Sequence, residues 1–283
     1  MKDNRDKIFA LLIIATLIFS LFTVFVYSKQ GTPIKLSAKS AVLYDTKSEV
    51  FIFEKNANTR LSMASTTKIM TAIVVLENAD IDTTVIVDDR AIGVEGSSIY
   101  LEKGEEITIK ALLYALMLRS ANDAAEALAY EICGSIEAFS DLMNEKANSL
   151  GLKDTNFKNP HGLDAENHYT TAHDLAIIST EAIKNPVLRD ISSTKKIEIE
   201  SSVGSRILVN HNKLLTLYDG CIGIKTGYTK KSGRSLVSAA KKGDTTLICV
   251  TINAPDDWND HKKLLNYGFS RLNVAEPTSN TVI

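Results

Sequence analysis

A chain of 283 residues, 45% hydrophobic and 23% charged, has ordinary globular composition and enough apolar material for a sizeable core. Its 32 basic and 34 acidic residues leave a formal net charge of −2, with no Lys/Arg-rich block. That balance excludes nucleic acid as a partner, which calls for a basic footprint.

Lys2, Arg5 and Lys7 precede an apolar run from Ile8 to Tyr27. A run of this length matches a bilayer core, and the basic flank marks the cytoplasmic side. A secretory signal has a shorter apolar stretch and a small-x-small cleavage site, of which Val26-Tyr27-Ser28 is a poor version. The run is therefore read as an uncleaved signal anchor, with a cleaved, secreted form as the alternative. Either way, everything after about residue 30 lies outside the cytoplasm.

Residues 40–56 alternate and turn like a β-hairpin, with Asp45 to Ser48 at the bend. From about 62 to 185 the signals are helical. "STTKIMTAIVVLENA" opens with a cap residue and is apolar nearly all round, which predicts a buried helix. "TIKALLYALML" and "NDAAEALAYEIC" are helical stretches interrupted by Arg119-Ser120-Ala121. The next helix is capped by Ser135 and ends at Gly151; the one after it starts at a Thr cap and stops at Asn185-Pro186. From 195 onward the pattern returns to strands, and "DDWNDHKKLLNYGF" reads as a closing helix. Strands at both ends with helices between predict one sheet built from the two chain ends and an inserted helical lobe. Cys133, Cys221 and Cys249 cannot all pair, none stands in a C-x-x-C, and their apolar neighbours mark them as structural.

Ser65 and Lys68 stand three apart at the start of the first helix, on one helix face, so the amine can reach the hydroxyl. A serine becomes a nucleophile when a base takes its proton, and a lysine serves as that base only when neutral. The spacing alone decides nothing: Ser192 to Lys195, Ser193 to Lys196 and Ser238 to Lys241 match it too. Two further triplets choose. Ser120-Ala121-Asn122 is the chain's S-x-N, at the break between two helices, and Lys225-Thr226-Gly227 lies in a strand. Lys231-Ser232-Gly233 imitates the latter but sits at a turn. Only Ser65 precedes both triplets and heads an apolar helix.

In that order and on those elements, the three motifs are the set of β-lactamases and penicillin-binding proteins. The chain resembles the serine-type D-alanyl-D-alanine carboxypeptidases, the low-molecular-mass penicillin-binding proteins, over roughly residues 35–272. The stretch leading into S-x-N, the segment "NPHGL" and the closing "KKLLNYGF" are also similar to that family. The resemblance implies an α/β, β-lactamase-like transpeptidase fold. It implies a cytoplasmic stub and anchor over 1–30, a D,D-carboxypeptidase domain over 31–275 and a tail over 276–283. It also implies that Ser65 forms the acyl-enzyme, Lys68 accepts its proton and Ser120 relays a proton to the leaving amine. Asn122 is implied to bind the substrate's peptide group, Lys225 and Thr226 to receive its terminal carboxylate, and Gly227 to be part of the substrate-binding strand. The backbone N–H groups of Ser65 and Tyr228 are implied to form the oxyanion hole. The implied partners are peptidoglycan stem peptides ending in D-Ala-D-Ala, β-lactam inhibitors and the membrane, with no cofactor. Many relatives carry a further β-rich domain and a C-terminal amphipathic helix, for which the N-terminal anchor would substitute here.

Three other functions compete. A serine β-lactamase shares the motifs, but none of Glu126, Glu131, Glu137, Glu145 and Glu166 stands in the Glu-x-x-x-Asn arrangement of a class A enzyme. A membrane-tethered penicillin sensor would need an intracellular effector, and seven residues precede the apolar run. A zinc peptidase would need ligand spacing that His161, His168 and His173 do not show; they read as loop hydrogen-bonding groups near the site.

Overall fold

The computed structural model describes residues 34–272. The apolar run at 8–27 lies outside them, and among the described residues no helix is long and apolar enough to cross a membrane. The chain divides into Met1–Lys35 and Leu36–Ile283, and the second unit carries all that follows.

The hairpin forms where alternation predicts it. Strands β1 (Ser40–Asp45) and β2 (Val50–Lys55) pair antiparallel, and Asp45 accepts from the Lys47 N–H and the Ser48 hydroxyl at the bend. Helix α1 (Lys68–Asn78) follows and is buried from Lys68 to Val75, as its all-round apolar surface requires. After the short strands β3 (Thr84–Ile86) and β4 (Glu106–Thr108), helix α2 (Ile109–Tyr114) runs into a π turn over Ala115–Arg119. The chain breaks at Ser120 and resumes as α3 (Asn122–Cys133). Helix α4 (Ile136–Ser149) is capped by Ser135, which accepts from the Ala138 N–H, and α5 (Ala172–Lys184) by Thr171, which accepts from the Asp174 N–H.

Two expectations need correction. The helix before Pro186 does stop, but Pro186 also opens α6 (Pro186–Ser193), because proline suits the first helical position and Asn185 accepts from the Val187 and Leu188 N–H groups. The strands after 195 do not all share one sheet. β5 (Lys196–Ser201) and β6 (Gly204–Val209) pair with β3 and β4 in a second, four-stranded sheet ordered β3-β4-β5-β6. Their alternation explains this: Ile199 and Leu208 are buried among exposed or half-buried neighbours, a pattern that suits a sheet with one wet face.

The main sheet has five strands, ordered β2-β1-β9-β8-β7, with β7 (Cys221–Thr229), β8 (Gly233–Lys242) and β9 (Thr245–Ile252). It joins the two ends of the unit, as expected. β1, β8 and β9 are inner strands, buried along most of their length, and β7 is an edge. The closing helix α7 (Asp257–Arg271) packs on β8 and β9. Its buried Asp260 accepts from the Ser37 N–H at 3.0 Å, the Ser37 hydroxyl at 2.7 Å and the Ala38 N–H at 2.9 Å. One carboxylate thus ties the start of the unit to its last helix.

Candidate active site

Ser65 lies in a single 3-10 turn, Ala64–Thr67, that feeds into α1. The expected cap is absent: no side chain caps either the turn or the helix, and the Thr66 and Thr67 hydroxyls donate back to the carbonyls of Met63 and Ala64. Ala64 sits at φ 47°, a left-handed conformation uncommon outside glycine. The Ser65 hydroxyl is left facing Lys68 Nζ at 3.3 Å.

Lys68 is fully buried, the result of placing a lysine on a helix that is apolar all round. Its Nζ lies 2.6 Å from Asn122 Oδ1 and 2.6 Å from the His161 carbonyl oxygen. An ammonium would donate along all three contacts. A neutral amine donates along the two short ones and turns its lone pair toward the Ser65 hydroxyl. Burial holds the Lys68 pKa well below that of an ordinary lysine; the neighbouring Lys225 pushes it the same way, and Asp123 pulls it back.

Ser120 caps the π turn at φ 61° and lines the cleft beside Ser65. The break predicted at residues 119–121 is thus a left-handed residue between two helical segments. Asn122 opens α3 with its backbone N–H donated to the Ser97 carbonyl and its Nδ2 to the Glu95 carbonyl, 2.7 and 2.6 Å away. One donor and one acceptor of its amide remain for a ligand. Lys225, Thr226, Gly227 and Tyr228 follow one another along edge strand β7. Lys225 is buried, donates to the Thr226 carbonyl at 3.0 Å, and is pushed down to about 7 by its burial. Gly227 brings β7 against the serine: a Cβ there would lie 3.2 Å from both the Ser65 and Thr66 nitrogens. Tyr228 leaves its side chain 67% exposed at the rim.

Ser65, Ser120, Thr226, Gly227 and Tyr228 line a cleft of about 520 Å³, with Lys68, Asn122 and Lys225 buried beside it. The structure therefore brings all eight expected residues together. Its far wall is one the sequence reading missed. Arg234 of β8 pairs with Asp257 at 2.8 Å and lies over the Trp258 ring, while His211 and Lys213 close another side. The segment 159–163 also packs against the serine turn. Gly162, at φ 90°, passes so close to the serine turn that a Cβ would fall 2.0 Å from the Ala64 carbonyl oxygen. Thr71 donates to the Pro160 carbonyl at 2.6 Å, fastening the segment to α1.

The histidines behave as loop groups, with one exception. His161 contacts Glu126, and the His168 ring lies 2.8 Å from the Thr67 hydroxyl and accepts from the Lys158 N–H. Burial lowers the His168 pKa to about 4. His173 instead stacks on Phe51. Among the described residues no three or more His, Cys, Asp or Glu side chains gather as a metal site. The three cysteines are free thiols. The imitating motifs are used elsewhere: Ser193 donates to the Asp190 carbonyl in α6, and Ser238 meets His261 inside the core. Ser232 accepts from the Thr229 N–H in a turn.

The chain is similar to known proteins over most of its length. Residues 27–256 match peptidase family S11, D-alanyl-D-alanine carboxypeptidase. The chain is 38% identical over 252 residues to the D-alanyl-D-alanine carboxypeptidase DacF of Bacillus subtilis, covering 86% of this chain and 65% of that protein. It is 33% identical over 265 residues to DacA of Escherichia coli, covering 87% of this chain and 64% of that protein. The chain thus spans about two thirds of the length of these relatives. The crystal structure of the Streptomyces K15 DD-transpeptidase superposes with a TM-score of 0.80 at 33% identity, over 84% of this chain and 99% of that one.

Proposed function

The chain belongs to the D-alanyl-D-alanine carboxypeptidase family, and from that premise we propose that it removes the terminal D-alanine from peptidoglycan stem peptides ending in D-Ala-D-Ala. The Ser65 oxygen attacks the carbonyl between the two D-alanines while Lys68 takes the hydroxyl proton. The oxyanion is held by the backbone N–H groups of Ser65 and Tyr228. D-alanine departs with a proton relayed through Ser120, leaving an ester on Ser65. Water then hydrolyses the ester, returning the proton to the Lys68–Ser65 pair. Asn122 holds the substrate's peptide group, and Lys225 with Thr226 receives the carboxylate. A β-lactam ring opens on the same serine and leaves a stable adduct.

The observation that carries this reading is the state of Lys68. Two N–H bonds are committed to Asn122 and His161, and burial disfavours a third proton, so the remaining direction faces Ser65. The lactamase alternative draws no support from the glutamates: Glu126 is engaged by His161, and Glu166 is exposed. The catalytic unit works outside the cytoplasm, and residues 8–27 tether it to the membrane.

A labelled penicillin followed by intact-mass measurement tests the chemistry. One adduct, on the peptide containing Ser65, together with D-alanine release from a D-Ala-D-Ala peptide, is expected; neither appearing would overturn the reading. The carboxylate role has its own test. Amidating the substrate's C-terminus and replacing Lys225 by Ala remove one contact, so their effects should not multiply. Multiplication would show that Lys225 does not hold that group. Retention of the chain in washed membranes, at the mass of the uncleaved sequence, is the outcome expected of the tether; a soluble, shortened chain would refute it.

A further inference from the structure

A lysine base works only when its lone pair points at the hydroxyl, and that direction follows from where its two N–H bonds go. Here they go to acceptors on separate elements: Asn122, which opens α3, and the carbonyl of His161, in the 159–163 segment. Asn122 is held in its turn by the Glu95 and Ser97 carbonyls. The 159–163 segment is fastened to α1 through Thr71, and within itself by Asn159, which accepts from the Gly162 N–H and donates to the Leu163 carbonyl. Its polar link to α3, among the described residues, is a single side-chain pair. Glu126, one turn along α3 from Asn122, places Oε1 3.2 Å from His161 Nε2, and both side chains are largely buried. The Leu163 N–H donates to His161 Nδ1 at 3.1 Å, which leaves the ring proton on Nε2, facing the carboxylate. The contacts close a ring: Lys68 to Asn122, along α3 to Glu126, across to His161, and back to Lys68.

We propose that Glu126 and His161 form a cross-brace that fixes the spacing of the two acceptors of Lys68 and thereby aims its lone pair at Ser65. Glu126 is then a positioning residue for the acyl transfer proposed above, on which this inference rests. Burial lowers the His161 pKa, as a protonated Lys68 would, and Glu126 opposes both. The other charged or titratable groups within electrostatic reach are Tyr130 beside Glu126, His168 beside His161, and Asp123 and Lys225 beside Lys68. Glu126 pairs with His161 and makes no hydrogen bond or ion pair with Lys68, so the effect expected of it is geometric.

The test measures acylation of the full chain by a labelled penicillin, separating the dissociation constant of the pre-covalent complex from the acylation rate. Glu126→Ala should slow acylation about tenfold or more, the scale of a small misplacement of a reacting group, with pre-covalent binding unchanged. Its rate should also rise at higher pH than in the wild type, because a loosened, better hydrated Lys68 keeps its proton longer. Glu126→Gln, whose amide oxygen still accepts from Nε2–H, should keep both rate and profile. Wild-type behaviour of Glu126→Ala would overturn the brace. So would equal damage in Glu126→Gln, or a loss of binding that tracks a fall in thermal midpoint. A wild-type chain that no penicillin acylates would overturn the functional reading, and the brace with it.

Discussion

Ser65 and Ser238 are each followed three residues later by a lysine, and each hydroxyl lies within reach of a basic nitrogen: Lys68 Nζ at 3.3 Å and His261 Nδ1 at 2.6 Å. By distance alone Ser238 is the better-held serine. Its surroundings decide otherwise. Ser238, His261 and Thr251 are all fully buried, and His261 Nε2 is occupied by the Thr251 hydroxyl at 3.0 Å. Lys241, the nominal partner of Ser238, is exposed, because residues three apart on a strand point to opposite faces. The Ser238 cluster is closed on itself and holds α7 to β8 and β9. Around Ser65 the strong hydrogen bonds go from Lys68 to other acceptors, and the contact to the serine is the long one, opening on a cleft. A finished network stabilises; an unfinished one beside a cleft can react.

The comparison breaks most sharply under substitution of the serines. Ser65→Ala should abolish the penicillin adduct and D-alanine release, whereas Ser238→Ala should leave the adduct at full occupancy in the intact-mass spectrum. An adduct surviving Ser65→Ala would reverse the assignment of the two clusters. Next in size, Lys68→Ala should slow acylation by roughly 10²–10⁴, the usual contribution of a positioned base, while the protein stays folded by circular dichroism. Ser238→Ala should instead lower unfolding free energy by about 1–3 kcal/mol, because it leaves a buried ring nitrogen without a partner; chemical denaturation reads this directly. The smallest effect is a pH dependence. Burial pushes the His261 pKa from 6.5 down to about 3, so the unfolded chain binds a proton over that interval that the folded one refuses. Stability from this residue is therefore intact above pH 6.5 and lost as the pH falls toward 3. His261→Gln should flatten the acid limb of the stability profile in part only, since His161 and His168 are depressed as well. An unchanged limb would mean that His261 does not titrate with unfolding.

Much of this was legible in the residues because it depends on side-chain identity. The hairpin, the caps at Ser135 and Thr171, and the order of the three motifs all rest on chemistry that a letter carries. What escaped rests on backbone or on tertiary contact. β3 and β4 have three residues each, too few to show a period, and α6 hides behind a proline that also reads as a stop. The acceptor role of His161 belongs to its carbonyl, which every residue has, and so do the roles of Glu95 and Ser97 toward Asn122. The wall of Arg234, Asp257 and Trp258 comes together only when β8 meets α7.

The first turn of α7 carries two carboxylates with different errands. Asp257 faces the cleft beside Arg234, and Asp260 grips Ser37 and Ala38 where the chain enters the unit. Three residues of helix separate them, a rise of about 4.5 Å. The entry of the unit and one wall of the cleft are therefore fixed through the same turn of helix, so the residues that anchor Ser37 also set where Asp257 meets Arg234.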